Sequence, residues 1–175
     1  MDLILFNSDK KIESALIERR EKVVTLLVSE QYYNLLSSED QKRLAKKLPY
    51  LLKRYAKFMS SHSRLNDQQA VTTLYQRNQG RMKKLNVRMN TVYWSLLGAL
   101  AQSHGVSRCY LFNFLLSLDK MGVGESVVKV LNVGIPTFHK VYRYIWQLEL
   151  DRNKISRSLE FIPNPLQSFA QTGYF

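Results

Sequence analysis

Side chains that can donate hydrogen bonds alternate with apolar side chains in the segment KKLNVRMN, residues 83–90. The donors are Lys84, Asn86 and Arg88. The apolar residues between them and after them are Leu85, Val87 and Met89. Successive side chains of a β-strand point to opposite faces. The segment therefore predicts a strand over 83–89 with one polar, cationic face and one apolar face that can pack on a core.

The whole chain carries a large excess of positive charge. It contains 26 Lys and Arg residues against 14 Asp and Glu residues, which gives a formal net charge of +12 at pH 7. Such an excess favours polyanionic partners, nucleic acid first and an anionic membrane surface second. A basic protein without such a partner is the alternative on charge alone. The 175 residues, 45% of them hydrophobic, suit one domain or two small units that share a core.

The residues that could hold a metal or catalyse a reaction are scattered. The histidines His62, His104 and His139 lie far apart in the sequence and lack the spacing of metal ligands. The acidic residues form no pair that suggests acid–base catalysis. We therefore expect a protein that is not an enzyme and that needs no metal or cofactor.

Cysteine content and hydropathy predict the compartment. The single cysteine, Cys109, excludes an intramolecular disulfide and fits a reducing environment. The first residues, MDLILFNSDKK, contain too short an apolar run for a signal peptide. No stretch approaches the ~18 apolar residues of a membrane span. We therefore expect a cytoplasmic protein that has no membrane segment.

Two amphipathic helices are predicted directly after the strand. Asn90 can cap a helix over 91–103, and Gly105 suits the left-handed residue that ends it. Ser107 can cap a second helix over 108–121. The predicted strand and its two helices are consecutive in the sequence, and we treat them as one strand–helix–helix unit.

A weaker copy of this strand–helix–helix pattern precedes it. A strand is predicted over 23–28, and helices are predicted over 30–46 and over 49–59, with Pro49 at the first helical position. At a constant shift of 61 positions, the apolar residues of the two strands align, and YYNLL falls on YWSLL. Two such units could pair as an antiparallel ribbon over four helices, since neither strand has a partner alone. Chance similarity between two amphipathic units is the alternative.

The remaining segments complete a predicted five-part organisation in the α+β class, mainly α with short strands. The further predicted elements are a strand at 3–6, helices over 9–20 and 123–133, a β-hairpin from VYRYIWQLEL and ISRSLEF, and a loose tail after Pro163. The predicted parts are an N-terminal extension (1–21), a first unit (22–59), a connector (60–80), a second unit (81–121) and a C-terminal lobe (122–175).

The predicted hairpin has an aromatic face. Alternate positions of its first strand carry Tyr142, Tyr144 and Trp146. One interpretation is that this face packs on the core. The other is that it binds a protein partner or a second copy of the chain. The sequence leaves both interpretations open.

The segment KKLNVRMNTVYWSLLGALAQSHGVSRCYLFNFLL resembles the ribbon-helix-helix fold of small bacterial repressors of the Arc, MetJ and CopG type. The resemblance covers 83–121, and the copy at 22–59 would supply the partner unit. The features that carry the resemblance are the polar residues at alternate strand positions, the helix directly afterwards, and the turn HGVSR that opens the second helix. It implies tandem ribbon-helix-helix units that form a pseudo-dimer within one chain.

The resemblance also implies which residues contact double-stranded DNA. In that family the ribbon enters the major groove, where Arg and Lys donate to guanine O6 and N7 and Asn can pair with adenine. The implied base-reading residues are Lys84, Asn86 and Arg88. The implied phosphate-binding residues are Arg81, Lys83, Ser107 and Arg108. For the three base-reading residues, a simple solvated strand face is the alternative.

The first strand departs from the family pattern. Its residues at the positions equivalent to the three base-reading residues are Val23, Thr25 and Leu27. Half of the outer face would then be apolar or weakly polar, and it could face DNA or be covered by another segment. Pairing of two 83–89 strands across a homodimer is a further arrangement that the sequence leaves open.

We expect a sequence-specific DNA-binding protein that regulates transcription. The alternative is an interaction module, similar to an antitoxin, that uses the same scaffold and binds a protein through the aromatic hairpin. The chain as a whole also resembles a spirochaete protein family of unknown function, through GRMKKLNVRMNT, HGVSRCYLFNFLL and GIPTFH.

Overall fold

Four strands form two separate antiparallel sheets of two strands each within the described part of the chain. A computed structural model describes residues 21–68, 73–76, 80–124 and 139–162. The first sheet pairs β1 (Glu21–Ser29) with β2 (Met82–Asn90). The second sheet pairs β3 (Val141–Glu149) with β4 (Lys154–Ile162). With the helices between these strands, the expected α+β class is confirmed.

Several predicted segments lie outside the described residues. They are the strand and helix predicted within 1–20, nearly all of the helix predicted over 123–133, and the tail after Pro163. Among the residues that are described, no helix is both long enough and apolar enough to cross a bilayer.

Each strand of the first sheet is followed by helices. After β1 come α1 (Glu30–Asn34), α2 (Ser38–Arg43) and α3 (Leu48–Ser61), and after β2 come α4 (Thr91–Ser103) and α5 (Arg108–Lys120). The predicted caps of the second unit are confirmed. The Asn90 side chain accepts from the backbone N–H of Val92 at 2.8 Å, and Ser107 Oγ accepts from that of Tyr110 at 3.2 Å.

The inner face of the β1–β2 ribbon forms one wall of the core. Leu26 and Val28 of β1 are fully buried, and Val87 and Met89 of β2 are nearly so. The helices supply the opposite wall with fully buried residues: Leu51, Leu52 and Tyr55 of α3, Leu97 and Leu100 of α4, and Leu111, Phe112 and Leu115 of α5. This packing explains the alternation of apolar and polar residues along β2.

The single helix predicted over 30–46 is wrong, because the segment divides into α1, α2 and a 3₁₀ turn at Ala45–Lys47. Ser37 Oγ accepts from the backbone N–H of Asp40 at 3.1 Å and so starts a new helix at α2. Gln41 Nε2 donates to the carbonyls of Tyr33 and Leu36 at 3.0 and 3.2 Å, which satisfies acceptors that the break exposes.

The predicted connector, 60–80, is attached to the turn between α4 and α5 where it is described. The backbone N–H of Leu74 donates to the carbonyl of Gly105 at 2.7 Å, and that of Ser107 donates to the carbonyl of Leu74 at 3.0 Å. The buried Asn66 also donates through Nδ2 to the Gly105 carbonyl at 3.0 Å. Gly105 has φ +67°, the left-handed conformation predicted for the residue that ends α4.

The predicted C-terminal hairpin is confirmed, and it lies against α4. β3 and β4 pair along their full length and are joined by a 3₁₀ turn (Leu150–Arg152) and Asn153, which has φ +48°. Asn tolerates this left-handed conformation better than most residues. Arg157 Nη1 donates to the carbonyl of Gln102 on α4 at 3.4 Å.

Candidate nucleic-acid interface

The outer face of the ribbon carries the three residues that the sequence analysis selected. Lys84, Asn86 and Arg88 are all exposed. The register pairs them directly across the ribbon with Leu27, Thr25 and Val23, respectively. Directly paired residues of an antiparallel sheet lie on the same face. The three β1 residues therefore share this face, and Val23 is 64% exposed.

A hydrogen bond joins the two central residues of this face. Thr25 Oγ1 donates to Asn86 Oδ1 at 2.8 Å. The bond holds the amide oxygen against β1, while the Nδ2 group keeps two hydrogens that can donate to another acceptor. The pair lies at the middle of the register, between the Val23–Arg88 pair and the Leu27–Lys84 pair.

The cations of the face have no ion-pair partner in the described part of the chain. Neither Lys84 nor Arg88 forms an ion pair with another described residue. In the hairpin, by contrast, Arg143 pairs with Glu160 at 3.0 Å, and Arg152 pairs with Glu149 at 3.3 Å. The face also carries the exposed acid Glu21, which lines a cavity together with Arg88. Two cations against one acid leave the face with a net positive charge, which attracts anions.

Two cavities flank the ribbon, one on each side. The first, of about 690 Å³, lies between Thr25 and Leu27 of β1 and the start of α5 at Ser107 and Arg108. The second, of about 640 Å³, lies between Asn86 and Arg88 of β2 and the region that leads into α3. The cationic residues of that region that line it are Lys42 and Lys46. The first cavity therefore joins the outer ribbon to the start of α5, and the second joins it to the start of α3.

Arg108 lies in a defined position at the wall of the first cavity. Its guanidinium carbon is 4.9 Å from the centre of the Trp94 ring, and its Nε donates to the Trp94 carbonyl at 3.4 Å. The side chain crosses α4 at Gly98, where an added Cβ would collide with the guanidinium group. A glycine inside a predicted helix was the only sequence signal of this close approach.

The other predicted phosphate-binding residues occupy the end of the ribbon at the start of β2. Arg81 and Lys83 are exposed. The Lys83 ammonium lies 5.5 Å from the centre of the Tyr33 ring of α1. The Arg81 carbonyl accepts from the backbone N–H of Glu30 at 3.0 Å, which ties this end of the ribbon to α1.

Lys42 and Lys46 belong to a basic run of the sequence that also contains Arg43 and Lys47, and the sequence analysis did not select them. Their closeness to Arg88 depends on how the segment that leads into α3 packs beside β2. The sequence signal was the charge of that run, and it did not distinguish a solvated helix face from a phosphate-binding surface.

The structure separates the three aromatic residues of the hairpin into two environments. Tyr142 packs against the core, and its hydroxyl oxygen accepts from the backbone N–H of His139 at 3.4 Å. Burial raises the pKa of the Tyr142 hydroxyl. Tyr144 is half-buried, whereas Trp146 is 58% exposed, with Arg157 5.9 Å from the ring centre. Of the three aromatic residues, only Trp146 is exposed to solvent.

The comparisons with known proteins identify a family and no activity. Residues 1–168 match the family described as "Protein of unknown function (DUF1564)". No curated protein and no solved structure matches the chain. Since the family match covers nearly the whole sequence, the chain belongs to the DUF1564 family.

Proposed function

We propose that this protein is a sequence-specific DNA-binding protein that regulates transcription by inserting the β1–β2 ribbon into the major groove. The observation that carries this proposal is the outer ribbon face, on which Lys84, Asn86 and Arg88 are exposed and form no ion pair with any acid that the structure describes. A major groove about 12 Å wide admits a two-stranded ribbon. Arg, Lys and Asn are the side chains that donate to purine edges there.

The proposed architecture is a ribbon-helix-helix pseudo-dimer in which one chain supplies both units. The 61-position shift that aligns the two copies makes Thr25 equivalent to Asn86. The register pairs these same two residues with each other. An approximate two-fold axis through this pair would exchange β1 with β2 and α3 with α5. This agreement between repeat and register supports the pseudo-dimer over a chance similarity.

The proposed phosphate contacts lie in the two flanking cavities and at the start of β2. On one side, Ser107 caps α5, so the free N–H groups of the first turn of that helix can donate to a phosphate. On the other side, Lys42 and Lys46 supply charge beside Arg88. Contacts on both sides of the ribbon would fix its orientation in the groove, while the ribbon reads the bases.

The test is fluorescence-anisotropy binding to a random-sequence DNA duplex, titrated with salt. For the wild type we expect a log–log salt slope of about −4 to −8, because each neutralised phosphate contributes about −0.9. The Lys84→Ala/Arg88→Ala variant should bind clearly more weakly and give a shallower slope.

A matched control removes the same charge far from the ribbon. Arg152→Ala/Lys154→Ala lies at the tip of the hairpin, where both side chains are exposed. It should bind DNA nearly as the wild type does. Equal losses of DNA affinity in the two double variants would mean that only net charge matters. If the wild type does not bind DNA at low salt, the proposal of DNA binding is wrong.

The exposed tip of the hairpin favours a second candidate function, the binding of a protein partner by an antitoxin-like module. The apolar residues exposed there are Trp146, Leu148, Leu150 and Ile155. Leu148 and Ile155 face each other across the hairpin. If this candidate is right, a partner complex should survive Lys84→Ala/Arg88→Ala and dissociate on Leu148→Ser/Ile155→Ser.

A further inference from the structure

The outer ribbon face is chemically different on its two strands. Each of the three central cross-strand pairs joins one hydrogen-bonding side chain of β2 to one side chain of β1 that is aliphatic or carries a methyl group. These central pairs are Val23–Arg88, Thr25–Asn86 and Leu27–Lys84, and they lie between the end pairs Glu21–Asn90 and Ser29–Met82. Thr25 uses its hydroxyl hydrogen on Asn86, so its methyl group and oxygen lone pairs remain for other contacts.

The difference breaks the two-fold symmetry of the face. The 61-position shift makes Val23 equivalent to Lys84, and Leu27 equivalent to Arg88. A rotation about the central pair would therefore place an aliphatic side chain where a cation had been, at both ends. The backbone of the ribbon is nearly symmetric in register, but in the three central pairs the two cations and the amide lie along β2.

These two sets of side chains match different base edges. Lys and Arg donate to guanine O6 and N7, and Asn can pair with adenine. Valine, leucine and the threonine methyl group contact the 5-methyl group of thymine. From this distribution we propose that the ribbon recognises a non-palindromic site, with purines facing β2 and thymine methyl groups facing β1. This inference rests on the proposed DNA binding.

One consequence concerns stoichiometry and orientation. A symmetric homodimer meets two identical half-sites, so its preferred site is a palindrome. A single chain with this ribbon has one preferred direction along the DNA. A palindromic site gives it no advantage, because such a site presents the same bases to β1 and to β2, whose side chains differ.

The experiment is selection of binding sites from a random duplex library with the purified full chain, whose mass in solution is measured alongside. We expect the wild type, as a monomer, to enrich a motif that differs from its own reverse complement. The symmetrised variant Val23→Lys/Leu27→Arg gives both strands the same order of cations. It should enrich a motif closer to a palindrome. Thermal unfolding of the variant checks that it remains folded, which we expect because Val23 is exposed and Leu27 is partly exposed.

A second variant tests the aliphatic half of the face without adding charge. Val23→Ala/Leu27→Ala should keep the purine preference and relax the preference for thymine by about fourfold at each base whose methyl group no longer meets an aliphatic side chain. An unchanged thymine preference would overturn the role given to β1.

The outcomes separate this inference from the proposed function. A palindromic wild-type motif that disappears in Lys84→Ala/Arg88→Ala would overturn the inference of a non-palindromic site. It would still support DNA binding by the ribbon. A motif that is the same in the wild type and the symmetrised variant would also overturn it. No enrichment by the wild type, together with binding indifferent to Lys84→Ala/Arg88→Ala, would overturn both.

Discussion

His104 connects two helices from a buried position. Its Nε2 lies 2.8 Å from the carbonyl oxygen of Met59, and because a carbonyl only accepts, the ring carries a proton on this nitrogen. The contact joins the end of α4 to α3. Burial is the main reason that the pKa of His104 lies below its ordinary value, and the neighbouring His62 also lowers it.

This lowered pKa predicts an acid-sensitive contribution to stability. Between the folded pKa and the ordinary value near 6.5, the unfolded state binds more protons than the folded state. The free energy of unfolding should therefore fall as pH drops below about 6.5. Chemical denaturation at a series of pH values from neutral to mildly acidic would measure this fall.

The variant His104→Gln provides the comparison. Its amide can donate to the Met59 carbonyl but does not titrate, so its stability should change less steeply over the same pH range. Parallel pH profiles for the two proteins would show that His104 does not supply the acid sensitivity.

Single residues of the candidate site were predictable to different degrees. The alternation in the sequence sufficed to predict that Lys84, Asn86 and Arg88 are exposed, because strand periodicity is local. The position of Arg108 over Trp94 was not predictable, since it depends on how α4 and α5 cross. The alternation also did not reveal that Thr25 donates to Asn86, which requires the register.

At the scale of elements, the break between α1 and α2 depends on one side chain. Ser37 both caps α2 and donates to the Asp40 carboxylate at 2.7 Å. Ser37→Ala should lower the free energy of unfolding by about 1 kcal/mol, the usual cost of losing an N-cap.

Its neighbour Ser38 supplies a matched control, because it is exposed at the first position of α2. Ser38→Ala should change the free energy of unfolding by less than about 0.5 kcal/mol, as most surface substitutions do. Urea denaturation of both variants measures the difference. An equal change in the free energy of unfolding for the two variants would show that the Ser37 cap does not stabilise the break between α1 and α2.

Element boundaries were most predictable where a capping residue marks them. α4 begins directly after Asn90 and α5 directly after Ser107, as predicted. The predicted helix over 30–46 failed because its apolar periodicity continues through Ser37, whose capping bond competes with the helix. The attachment of Leu74 to the turn at Gly105 had no local signal, because it joins residues distant in sequence.

For the whole molecule, ribbon and core form within one chain. Both strands of the ribbon belong to the same chain, and the helices of both copies share one buried cluster. Folding should then need no second copy. The melting temperature should stay constant on dilution by about 100-fold, unlike that of an obligate dimer.

Differential scanning fluorimetry at several protein concentrations would test this expectation. A melting temperature that rises steadily with concentration would show that the stable unit contains more than one chain. The exposed hairpin tip is the surface to suspect in that case, and Leu148→Ser/Ile155→Ser would then remove the dependence.

The pairing of β1 with β2 within one chain also bears on how such a protein can evolve. In a homodimer every substitution in the ribbon appears twice, once in each copy. Here a substitution at Val23 leaves its equivalent, Lys84, unchanged, because the two positions are separate codons of one gene. If the proposed DNA binding holds, each half of the face can acquire new base preferences step by step, while the other half keeps its own.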